Sequence, residues 1–221
     1  MNTMTRLIRS AAILLVVALS LPVAMAETGS RTIVVMGDSL SAAHGIEVKD
    51  GWVALLDRKL DSAGFSRWSV VNASVGGETS DGGLRRIDDV LERTSPEILI
   101  LELGGNDGLR GFPPQVLNSN LETMIEKSQK AGAQVLLVGM LMPPNFGPAY
   151  TDAFAAVYSD LATEHDLPFV EFFLANVYGQ AGMMQEDGIH PSTEAQPQLL
   201  RNVWPALKPM LTRDDAMASA H

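Results

Sequence analysis

The chain of 221 residues contains no cysteine. It can form no disulfide and offers no thiol for lipid attachment, so an exported form of it must be held together by its core. Cations are scarce as well, with 16 Lys and Arg against 26 Asp and Glu. That balance argues against nucleic acid as a partner, because phosphate backbones are held by clustered basic side chains. Only four histidines occur, a poor supply for a metallophosphoesterase-type site that wants several imidazole ligands. The one run that could be mistaken for a membrane anchor, Ala11 to Val23, falls well short of the roughly 20 residues a spanning helix needs.

That run has another reading. Arg6 and Arg9 precede it and Ala24-Met25-Ala26 follows it, which gives the charged, apolar and small-residue regions of a secretory signal peptide. Residues 1–26 are therefore expected to be removed, leaving a periplasmic or secreted protein with no stable membrane anchor. Cleavage takes away two arginines and no acid, so the mature chain has 14 basic and 26 acidic residues, a net charge of −12. Diffuse acidity of this kind serves solubility and, at a screening length of about 8 Å in physiological salt, does not mark a specific site.

At 46% hydrophobic and 19% charged residues, the remainder reads as one domain able to bury its own core, residues 27–211, with a polar tail expected to be disordered over 212–221. Thr32–Met36, Ser69–Asn72, Ile98–Leu103, Val135–Met140 and Pro168–Val170 read as strands. Their continuous apolar runs suit burial on both faces. Helical spacing of apolar positions occupies the intervals: Trp52–Ala63, Thr79–Arg93, Gln115–Ala131, Asp152–His165 and Thr193–Leu211, the last bent or restarted near Pro197 and Pro205. Strand and helix alternating in this way predict an α/β fold with a five-stranded parallel sheet covered on both sides.

Open parallel sheets bind ligands beyond the carboxyl ends of their strands. The first three strands exit into Gly37-Asp38-Ser39-Leu40-Ser41, Ala73-Ser74-Val75-Gly76-Gly77-Glu78-Thr79 and Gly104-Gly105-Asn106-Asp107-Gly108. Each turn alone is a weak signal, since glycine is common in such turns. A fourth piece, Asp187-Gly188-Ile189-His190-Pro191, precedes the last helix. An acid three residues ahead of a histidine can accept the Nδ1 hydrogen and leave Nε2 as a base. Together these supply an acyl-transfer site: Ser39 as nucleophile, His190 as base, and Asp187 to fix the imidazole tautomer. The N–H groups of Ser39 and Gly77 and the side-chain amide of Asn106 are candidate oxyanion donors, each worth about two to three powers of ten in rate if well placed. Gly77 has no Cβ to keep its amide from the reacting carbonyl.

Gly37-Asp38-Ser39-Leu40, Gly77, Gly104-Gly105-Asn106-Asp107 and Asp187-Gly188-Ile189-His190-Pro191 resemble, in order, the four signature blocks of the SGNH (GDSL) hydrolase family. The resemblance spans essentially the whole mature domain and is nearest to the bacterial periplasmic thioesterase I/lysophospholipase/arylesterase branch. It implies a flavodoxin-like three-layer α/β/α sandwich, no cofactor and no metal, and the roles just assigned. The substrates it implies are small esters and thioesters, including aryl esters, acyl-CoA-type thioesters and lysophospholipids, handled by a monomer. One local departure is the stretch His44–Gly51, longer and more polar than that branch leads one to expect.

Other readings of the same residues remain. Serine is a common helix N-cap, and Ser41 fits that role better than Ser39. Ser39 does not fit the Gly-x-Ser-x-Gly elbow of the α/β-hydrolases, because Ser41 stands where the second glycine should be. Asp38 and Asp107 could serve a metal, but read better as turn residues accepting backbone N–H bonds. A secreted binding domain that has lost activity would keep the fold, yet has no need of all five site residues. For substrate binding the expected wall is Leu109, Met142, Phe146 and Ile189, although the loops after the third and fourth strands could equally be packing over the sheet edge.

Overall fold

The computed structural model describes residues 29–218. The expected signal peptide, residues 1–26, lies outside the described residues. Five strands form one parallel sheet: β1 (Arg31–Gly37), β2 (Trp68–Asn72), β3 (Ile98–Glu102), β4 (Gln134–Val138) and β5 (Phe169–Val170), in the order β2-β1-β3-β4-β5. β1, β3 and β4 are buried on both faces, which is why their sequences run apolar without alternation. β2 at one edge is mostly exposed and β5 at the other is only two residues long. The order reverses between β1 and β3, so the chain leaves these neighbours in opposite directions and opens a crevice above them. Their register sets Gly37 beside Glu102 at the lip of that crevice.

Six α-helices cover the sheet: α1 (Trp52–Ser62), α2 (Ser80–Thr94), α3 (Gly105–Leu109), α4 (Pro114–Lys130), α5 (Pro148–Glu164) and α6 (Gln196–Ala218). α1 packs on α6, while α4 packs on both α2 and α5. Thr79 caps α2 by accepting from Gly82 N–H, and prolines open α4 and α5 at positions where no intrahelical bond is lost.

Four expectations are revised. Ser41 caps nothing: the chain after Ser39 winds through irregular turns and a 3-10 turn at Val48–Asp50 before α1 begins at Trp52, whose N–H is accepted at 3.0 Å by the buried Gln196 side chain. The glycine-rich exit of β3 is a short helix, α3. α6 starts at Gln196, three residues later than expected, and continues as one helix past Pro205 and Pro209. It also runs to Ala218, so residues 212–218 of the expected tail are helical, and 219–221 lie outside the described residues.

Candidate active site

Three strand exits and the loop before α6 converge on one cavity of about 650 Å³. Ser39 lies directly beyond β1, only 8% exposed, with its Oγ 3.0 Å from His190 Nε2. His190 Nδ1 is 2.6 Å from Asp187 Oδ2. Asp187 also accepts, through Oδ1, the backbone N–H groups of Ile189 at 2.9 Å and His190 at 3.0 Å. The aspartate thus shapes its own turn while orienting the ring. The His190 hydrogen bond and these backbone bonds hold the Asp187 carboxyl well below the usual carboxylate range.

The opposite wall carries the donors. Gly77 is in the left-handed region, φ +73°, and its N–H has no acceptor among the described residues; nor has that of Ser39. A Cβ at Gly77 would meet no protein atom within 4 Å, so the backbone conformation rather than crowding is what calls for glycine there. Asn106, in the first turn of α3, donates from Nδ2 to Asp38 Oδ2 at 2.9 Å and to the Glu78 carbonyl at 3.0 Å. Both amide hydrogens are engaged, so an oxyanion must share or displace one of these acceptors.

Beneath the turn lies a buried polar bed that the sequence reading touched only at Asp38 and Asp107. Asp38 Oδ1 accepts Leu40 N–H at 2.9 Å, and Asp107 accepts Ser80 N–H at 2.8 Å and Ser80 Oγ–H at 2.5 Å, locking α2 to α3. Glu102, fully buried, accepts Ser41 Oγ–H at 2.6 Å through Oε2; Ser41 Oγ in turn accepts Trp52 Nε1–H at 3.1 Å. Glu102 Oε1 is buried with no hydrogen-bond partner among the described residues, which a neutral carboxyl tolerates and a carboxylate does not. Burial, reinforced by the charge of Asp38, pushes Glu102 well above the usual range, and burial raises Asp38 to about 6. Gly37 is required here, because a Cβ would stand 2.4 Å from Glu102 Oε2 and 2.8 Å from Ser41 Oγ.

Two contacts tie the mobile-looking polar stretch after Ser39 to the histidine loop. The His44 and His190 rings lie 4.2 Å apart, tilted by 36°. Gln185 Nε2 donates to the His44 carbonyl at 2.8 Å and to the Pro191 carbonyl at 3.0 Å, and its backbone N–H donates to the His190 carbonyl at 2.8 Å. Of the expected substrate wall, Leu109, Met142 and Ile189 line the cavity. Phe146 does not: it sits in a 3-10 turn and stacks on Tyr150 at 5.7 Å, in a row of rings that continues through Phe154. Phe172, Leu174 and Tyr178, from the segment after β5, line the cavity instead. Among the described residues, Glu122, Glu164 and His165 bring ligand atoms within 4.8 Å of one another, but none of them lines the cavity.

Comparison with known proteins accords with this arrangement. Residues 35–196 match the GDSL-like lipase/acylhydrolase family. The chain is 48% identical over 200 residues to esterase TesA of Pseudomonas aeruginosa, covering 90% of this chain and 99% of that protein. It is 41% identical over 183 residues to thioesterase 1/protease 1/lysophospholipase L1 of Escherichia coli, covering 83% of this chain and 86% of the relative. The crystal structure of the psychrotrophic esterase EstA from Pseudoalteromonas, inhibited by monoethylphosphonate, superposes with a TM-score of 0.78 at 38% identity and covers 82% of this chain and 99% of its own. The five-stranded parallel sheet, the crevice over β1 and β3, and these matches lead to one assignment: the chain belongs to the GDSL-like lipase/acylhydrolase family of ester hydrolases.

Proposed function

We propose that the chain cleaves carboxylic esters and thioesters through an acyl-enzyme on Ser39, with aryl esters, acyl thioesters and lysophospholipids as its substrate classes. The observation that carries this reading is the continuous relay from Asp187 Oδ2 through His190 to Ser39 Oγ, at 2.6 and 3.0 Å, ending in a 650 Å³ cavity walled by apolar side chains. Ser39 Oγ attacks the acyl carbonyl while His190 Nε2 takes its proton, and Asp187 stabilises the imidazolium that forms. The oxyanion lies against the N–H groups of Ser39 and Gly77 and the Asn106 amide. Collapse breaks the bond to the alcohol or thiol, which leaves with the proton from His190. A water activated by the same imidazole then releases the acid and restores Ser39.

Methionine and aromatic side chains along the cavity adapt to acyl chains of different length, which favours a broad acyl specificity. Residues 1–26 support export, with the enzyme acting in the periplasm or outside the cell as a monomer. Hydrolysis of p-nitrophenyl butyrate by the wild type and by Ser39→Ala, with and without EDTA, tests the reading. The expected result is a loss of about 10⁴-fold or more in kcat for Ser39→Ala and no effect of EDTA. Turnover preserved in Ser39→Ala, or abolished by EDTA, would sink it.

A further inference from the structure

A second cavity, of about 590 Å³, opens between α1 and α6 and shares no residue with the first. Leu55, Leu200 and Trp204 give it half-buried apolar walls, and Arg58 and Lys59 from α1 meet Arg201 from α6 at its exposed margin. No carboxylate lines it, although the mature chain has nearly twice as many acids as bases. Among the described residues none of the three cations is in an ion pair: Lys59 Nζ lies 5.3 Å from the centroid of the Trp204 ring, and Arg201 donates to the neutral Gln198 Oε1 at 2.9 and 2.8 Å.

Three unneutralised cations beside a half-exposed indole and two leucines are complementary to a ligand with an anionic head and an apolar body. A bilayer is a poor fit, since a net charge of −12 repels an anionic membrane surface as a whole while a single molecule needs only the local field within a screening length of about 8 Å. We infer that this groove binds a single-chain anionic amphiphile, a medium- or long-chain carboxylate. The carboxylate head rests on the proposed ester hydrolysis, which releases such acids; the need for an anionic amphiphile rests on the groove alone.

Trp204 makes the site self-reporting, because Trp52 and Trp68 are 0% and 3% exposed and neither lines the groove. Quenching of tryptophan fluorescence by 12-bromododecanoate is therefore the test, with the ligand also titrated into Trp204→Phe to subtract quenching from the active-site cavity. The proposal expects saturable quenching in the wild type that is absent in Trp204→Phe, about tenfold weaker in the Arg58→Ala/Arg201→Ala double variant, and not reproduced by neutral 12-bromododecanol. Equal quenching by the alcohol, or unchanged affinity in the double variant, would overturn it. Displacement of the bromo acid by dodecyl phosphate but not by dodecanoate would overturn the carboxylate head, and displacement by inorganic phosphate alone would overturn the amphiphile. Hydrolysis of p-nitrophenyl butyrate is read in the same samples and is expected to be unchanged in the double variant. Loss of quenching with turnover intact sinks the groove alone; absent turnover in the wild type sinks the proposed hydrolysis and leaves the binding result to stand by itself.

Discussion

The two halves of the active site are built in opposite ways. The nucleophile half rests on a dry bed, in which Asp38, Ser41, Glu102 and Asp107 are each 2% exposed or less and bond to one another's elements. The base half is a surface loop: the Asp187 side chain is 41% exposed, and backbone turns, an isolated bridge between Met184 and Pro191, and the Gln185 amide hold it. Damage to the first half should be paid in stability, and damage to the second in rate. Burial also gives the two halves opposite responses to pH.

The largest effect falls on the loop. His190→Ala should lower kcat/KM by about 10⁴-fold in ester hydrolysis while changing the unfolding free energy by less than ~1 kcal/mol, because the ring packs at the surface. A large drop in urea stability would break the contrast between the halves.

Next in size is Glu102→Ala, which strands Ser41 and opens a void beneath Gly37; a loss of about 2–4 kcal/mol is expected in urea unfolding. Glu102→Gln should stay within ~1 kcal/mol of wild type at neutral pH, since a neutral carboxyl and an amide have nearly the same shape. A Gln variant as damaged as the Ala variant would mean that the buried group is ionised.

The pH dependence sharpens the same point. Asp38 rises from 3.8 to about 6 on folding, so between those values the folded state holds the proton more tightly than the unfolded chain. Stability therefore falls as pH rises through that window. Asp187 is lowered, so its contribution is present above about pH 4 and is lost as pH falls below it. Urea midpoints of the wild type and Asp38→Asn between pH 4 and 6 check the first sign: the decline should flatten in the variant.

These contrasts also mark what could be read from residues alone. Ser39, Gly77, Asn106, Asp187 and His190 announced themselves because each stands at a strand exit or a loop, where apolar periodicity stops and polar residues need a reason. Glu102 did not, since Ile98–Glu102 is buried on both faces and such a strand has no alternation to show which face a polar residue takes. Ser41 misled for a related reason: cap and bed residue look alike until the start of α1, eleven residues on, is known. Phe146 was drawn to the cavity by its neighbours in an apolar loop, while Tyr178 contributes from a segment with no signal beyond composition. His44 and Gln185 meet across 141 positions, a pairing that only the closed fold creates.

Two smaller effects test that last layer. Gln185→Ala frees both the stretch after Ser39 and the histidine loop, and should lower kcat about tenfold with KM little changed; a purely KM effect would place Gln185 in substrate binding instead. Smallest of all, Phe146→Ala should alter acyl-chain preference in a thioester series by less than about twofold, whereas Tyr178→Ala should shift it visibly.

The central claim is that Ser39 carries the acyl group. Treatment with one equivalent of a p-nitrophenyl alkylphosphonate, followed by intact mass and peptide mapping, tests it directly. The account predicts one phosphonyl adduct per chain, on Ser39, formed in step with the loss of activity. Inactivation with the adduct on another residue, or with no adduct at all, would contradict it.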